Sequence, residues 1–138
     1  MAYREISLDS GDIHLTIKET SENLDFNPHD MNFIQRFSDL LIEVEQEEKT
    51  FNAKHDIIKK MPNKSKSEKQ SRTQAEISLM NRFCDFCEEK INSVFGEDAC
   101  VKIFGGQRVW LKYPLFLQRI APLIEESRDE LMAEYEKM

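Results

Sequence analysis

The sequence predicts a mainly α fold of the α+β type. An N-terminal β-hairpin is followed by a long antiparallel helical hairpin, then by a short helix and a proline-kinked helix. Three observations carry that expectation. Residues 3–18 alternate apolar and polar with period two. Asn27–Met61 repeats Phe33, Phe37, Leu40, Leu41 and Val44 at three- and four-residue steps. From Thr73 onward, Ile77, Met80, Cys84, Cys87, Ile91 and Val94 follow a heptad seam suited to packing on the first helix. A chain of 138 residues has room for one core, so residues 1–138 are expected to form a single domain.

In the hairpin, Ile6 and Leu8 share one face, as do Ile13, Leu15 and Ile17, with Asp9-Ser10-Gly11-Asp12 between them. A tight turn at Ser10-Gly11 pairs Leu8 with Ile13 and Ile6 with Leu15, and both strands then bury the same face. Two strands alone are marginal in water, so the hairpin must lie on a helix or meet another strand. Leu24-Asp25-Phe26 reads either as a short third strand or as a loop, with Phe26 stapled onto Met31.

The first long helix is expected over residues 27–61, with Asn27 as N-cap, Pro28 at the first helical position and Asp30 near the positive end of the dipole. Pro62 stops it. Its apolar face is wide as far as Val44, then narrows through the acidic run Glu43, Glu45, Glu47 and Glu48 to Phe51, Ile57, Ile58 and Met61. That change predicts a helix whose second half projects from the core. Residues 62–72 have no aliphatic or aromatic residue besides the proline, and Lys64, Lys66, Lys69 and Arg72 make them basic. They read as a solvated linker that becomes helical if the two long helices extend as an arm.

The second long helix is expected to start at Thr73, with Glu76 completing a capping box, and to end at Gly96. Phe83, Phe86 and Phe95 broaden its seam. Glu97-Asp98 open a short helix through Phe104 that Gly105-Gly106 terminate. After a turn carrying Trp110 and Tyr113, the last helix begins near Pro114. Leu115, Phe116, Ile120, Leu123, Ile124, Leu131 and Tyr135 are its expected inner face, and Pro122 removes the donor that the Gln118 carbonyl needs. Its charged end is expected to fray or protrude.

Composition narrows the function. The 26 acidic residues against 19 basic ones give a net charge of −7, which argues against broad binding to nucleic acid or anionic membrane. No apolar run has the length of a membrane span and no signal peptide is visible, so a cytoplasmic protein with reduced thiols is expected. Cys84-Asp-Phe-Cys87 with Cys100 suggests zinc, but the pair lies on a helix seam and no histidine or second CxxC closes the site, so buried thiols are expected and no metal. His14, His29 and His55 have no nucleophile or carboxylate at catalytic spacing. Ile103-Phe104-Gly105-Gly106-Gln107 lacks the GK[ST] of a phosphate loop. The expectation is a protein that is not an enzyme and has no cofactor.

Residues 91–124, INSVFGEDACVKIFGGQRVWLKYPLFLQRIAPLI, have a more specific pattern. A helix closing in Phe-Gly, a short acidic-x-Cys-x-x-Ile-Phe-Gly-Gly helix and a last helix with internal Ala-Pro resemble the C-terminal half of small tail assembly proteins of long-tailed bacteriophages and prophages. The upstream order of hairpin, long helix, polar joint and second helix is also similar, so the resemblance covers most of the chain. It implies a tail assembly chaperone of the bacterial host cytoplasm. Such a protein binds the long helical tape measure protein, keeps it soluble and is absent from the finished tail. The resemblance implies no catalytic residues.

A small acidic partner with apolar seams suits that role, because it covers apolar faces of a long helix while its charge keeps the complex soluble. The expected partner-binding residues are Phe51, Ile58 and Met61 on the first helix and Met80 and Phe83 on the second. Phe33 and Phe37 are assigned to the core. Phe51, Ile58 and Met61 are also expected to support a homo-oligomer through the helical arm. The alternative is a small phage regulatory or nucleic-acid-binding protein that uses residues 59–72 as a basic arm.

Overall fold

The computed structural model describes residues 2–138. Six elements follow in order: β1 (Ile13–Thr16), β2 (Asn23–Phe26), α1 (Met31–Lys59), α2 (Lys66–Phe95), α3 (Ala99–Phe104) and α4 (Lys112–Glu136). The mainly helical α+β architecture is the one expected, with an N-terminal hairpin ahead of the helices.

The hairpin uses different strands. β1 pairs antiparallel with β2, placing Ile13 opposite Phe26 and Leu15 opposite Leu24. Leu24 and Phe26 are buried, Ile13 and Leu15 pack on the same core from the sheet edge, and His14, Thr16, Asn23 and Asp25 face out. The reversal is at residues 17–22, where Ile17 N–H donates to Glu22 O at 2.8 Å and Ser21 adopts φ 58°. Residues 3–8 are in no strand, and Ile6 and Leu8 are 84% and 88% exposed. The Ser10-Gly11 hairpin does not close, and Ser10 Oγ instead donates to Asn27 Oδ1, just after β2, at 3.3 Å. Leu24-Asp25-Phe26 is the true second strand, and Met31 stays exposed, so the alternative staple is not formed.

α1 begins at Met31 rather than Pro28. Asp30 caps it, its Oδ1 accepting from Asn32 N–H at 3.0 Å. Asn27 instead accepts from His29 N–H at 2.9 Å, so Asn27-Pro28-His29 form a turn ahead of the helix. The linker over 62–72 is also shorter than expected. Ser65 and Glu68 make a reciprocal capping box and start α2 at Lys66, seven residues before Thr73. The two long helices are therefore joined only by residues 60–65.

α1 and α2 pack antiparallel, with Phe51 and Phe83 centroids 5.1 Å apart and Lys90 Nζ 3.1 Å from Glu43 Oε2. Near the sheet, Phe33 stacks on Phe26 at 5.0 Å and meets the edge of Phe95 at 5.6 Å. Gly96 and Gly105 end α2 and α3 with φ of 121° and 64°. Thr20 Oγ1 donates to Lys102 O at 2.6 Å, tying the hairpin turn to α3.

α4 starts at Lys112 and continues through Pro122 to Glu136. Its buried face is Tyr113, Leu117, Ile120 and Ile124. Of the expected inner face, Ile120 and Ile124 are buried and Phe116 packs partly, whereas Leu115, Leu123 and Tyr135 are exposed. Tyr113, Leu117, Ile120 and Ile124 recur at 4-3-4 spacing and so share the packed face, which leaves Leu115 on the opposite side of the helix.

Candidate partner-binding surface

The residues expected to bind a partner lie largely inside. Phe51 and Phe83 are 3% and 2% exposed, Ile58 is buried, and Met61 and Met80 are half-buried. The exposure expected of Phe51 is thus corrected: it packs against Phe83 and meets Trp110 at 4.9 Å. Trp110 comes from the loop between α3 and α4. This long-range cover has no signature in the spacing of either helix.

An open surface lies elsewhere. The first half of α1 and the second half of α4 border a groove of about 600 Å³. Phe37 and Ile124 form its buried floor, while Met31, Ile34 and Leu41 from α1 face Ala121, Leu131 and Met132 from α4. Met31 and Met132 are 69% and 54% exposed. Glu125, Arg128 and Asp129 border it, and at one end Ser127 Oγ lies 3.3 Å from His29 Nε2. Flexible methionines on an apolar floor adapt to varied side chains. Such a trough suits the apolar stripe of a helix. Leu41 and Leu131 were legible as stripe residues in the sequence, but that their two helices leave a trough was not.

The thiol cluster is structural. Cys84 Sγ donates to Arg108 O at 3.9 Å and Cys100 Sγ to Glu88 O at 3.8 Å, while Cys87 is fully buried. Burial raises all three thiols, Cys100 to about 12, which keeps them protonated and unreactive. Among the described residues no group of three or more His, Cys, Asp or Glu side chains is placed to hold a metal ion. Arg108 clasps the loop to α2 through Asn81 O at 3.2 Å and Glu88 Oε1 at 3.3 Å. Tyr113 donates to the same Glu88 carboxylate at 2.8 Å, and its phenol is pushed up by burial and by that bond.

The basic segment sits at the tip of the helical hairpin. Lys59 lies 4.0 Å from Asp56 and Arg72 3.6 Å from Glu76, so part of its charge is paired within the chain. Among the described residues no helix is long and apolar enough to cross a membrane.

Residues 20–138 match DUF6673, a family of unknown function. The chain belongs to this family. The matched region starts in the turn between β1 and β2, and takes in all four helices and the whole groove. No curated protein and no solved structure matches the chain.

Proposed function

We propose that this member of DUF6673 is a non-enzymatic tail assembly chaperone of a long-tailed phage or prophage, acting in the bacterial host cytoplasm on the tape measure protein. The observation that carries this reading is the open apolar groove between α1 and α4, with buried Phe37 and Ile124 as its floor. The sequence pattern over residues 91–124 supports it independently. Those residues build the end of α2, all of α3 and the start of α4, the framework that holds α4 at its distance from α1.

The chemistry of the groove fits a long helical client. A helix laid along it buries Met31, Ile34, Leu131 and Met132, each contributing up to about 1.5–3 kcal/mol on full burial. Association costs about 4–15 kcal/mol. Gain and cost are of similar size, which suits a partner that is held weakly and later released. The net charge of −7 keeps the loaded complex soluble. The same net charge of −7 argues against the nucleic-acid alternative, and Lys59 and Arg72 at the basic tip have acidic neighbours.

Co-expression with the longest helical tail protein of the same phage tests the proposal. The expected result is a higher soluble yield of that protein and a complex that co-purifies. A folded chaperone that leaves the client insoluble and unbound overturns it.

A further inference from the structure

Two unpartnered features of the N-terminal region match each other. The first is the segment Tyr3–Leu8. Ile6 and Leu8 share one face around Ser7, and Tyr3, Ile6 and Leu8 are 96%, 84% and 88% exposed. The second is β1. The sheet has two strands, so one edge of β1 carries no ladder partner, and Ile13 and Leu15 are only half-buried although they face the core. Exposed strand edges are templates for pairing.

The sequence encodes how the two fit. A register with Leu8 opposite Ile13 and Ile6 opposite Leu15 puts all four side chains on the core side of the sheet. Within one chain that register needs a reversal at Ser10-Gly11. In the structure that pairing is not made: residues 3–8 are in no strand and are exposed, Ser10 is bonded to Asn27 beyond the end of β2, and Asp9 Oδ1 accepts from Gly11 N–H at 2.8 Å in a local turn. A strand with its mate encoded in the same chain but left unpaired there is the arrangement from which domain exchange proceeds.

We propose that Tyr3–Leu8 forms the third strand of the sheet in a second copy of this chain, adding to the free edge of β1, with the exchange reciprocal. Ile6 and Leu8 then cover the half-buried Leu15 and Ile13 of the second copy. The exchange gives a closed two-fold dimer, because each copy supplies one arm and accepts one. It uses no residue that lines the α1–α4 groove, and it stands whether or not the groove takes a tape measure helix.

The test uses the full chain in sedimentation velocity over a concentration series. The parent protein is expected to form a concentration-dependent dimer, and the double variant Ile6→Asp/Leu8→Asp to remain monomeric with unchanged helical circular dichroism. An Ile6→Cys chain mixed with a Leu15→Cys chain and oxidised is expected to yield the mixed-disulfide dimer, the three native thiols being buried. A parent that stays monomeric throughout overturns the proposal, as does a dimer that survives the double aspartate substitution. So does an Ile6→Cys/Leu15→Cys chain that cross-links only within the monomer, because the arm then folds back on its own sheet.

Discussion

Phe51 on α1 and Trp110 in the loop before α4 face each other with ring centroids 4.9 Å apart. The pair joins the outer half of the long helical hairpin to the C-terminal segment, so a residue that reads as surface from helix spacing is part of the core. Phe51→Ala is therefore expected to destabilise the fold by about 3–5 kcal/mol, the range for a buried phenylalanine. Urea unfolding measures it. A loss near zero would return Phe51 to the surface.

Tyr113 is fully buried, and its hydroxyl has one acceptor, the Glu88 carboxylate at 2.8 Å. Tyr113→Phe keeps the ring and removes that charge-assisted bond, at an expected cost of about 1.5–3 kcal/mol. In a Glu88→Gln background the cost should shrink, because the charge assistance is gone. A double-mutant cycle reads the coupling.

The thiols make stability fall in alkali. In the unfolded chain they ionise near 9.0, whereas burial holds Cys100 to about 12 and raises Cys84 and Cys87 as well. Above pH 9 the unfolded state therefore binds fewer protons than the folded state. Stability is unaffected by these groups below pH 9 and drops as pH rises towards 12. Denaturant midpoints should hold between pH 7 and pH 9 and fall between pH 9 and pH 10.5, and the fall should be smaller in Cys87→Ala/Cys100→Ala. At pH 7, an aromatic disulfide reagent should label the thiols only as the protein unfolds.

Gly105 ends α3 at φ 64°, and a Cβ there meets Thr20 Cγ2 at 3.2 Å. Gly105→Ala combines a left-handed backbone cost of about 1–2 kcal/mol with crowding of the Thr20–Lys102 tie. Its melting temperature should fall by several degrees. Gly106→Ala shares the positive φ but meets nothing within 4 Å, so it should cost less.

The parts legible in the sequence were those governed by local periodicity. The seams of the long helices, the glycine stops at Gly96 and Gly105 and the role of the cysteines follow from spacing and residue type. Boundaries were missed where two local signals competed. Asn27-Pro28 and Asp30 both suit a helix start, and Asp30 prevails because its own backbone is extended, at φ −70° and ψ 119°, so the Asn27 bond to His29 N–H closes only a turn. Ser65-x-x-Glu68 was a readable capping box, but the absence of apolar residues around it suggested a linker. The site depends on tertiary geometry: Trp110 covers Phe51 from a loop, and the groove is bordered by residues of α1 and α4 that no local spacing brings together.

The proposed function requires the α1–α4 groove to take a helix of the tape measure protein. Calorimetric titration of the purified chain with helical segments of that protein tests it most directly, in parallel with Met31→Asp/Met132→Asp. Both methionines are exposed, so the variant should fold like the parent. The account predicts saturable binding to the parent and an affinity at least about tenfold weaker for the variant, a loss of about 1.4 kcal/mol or more. Equal affinity for both proteins, or no binding of any segment by the folded parent, would contradict it.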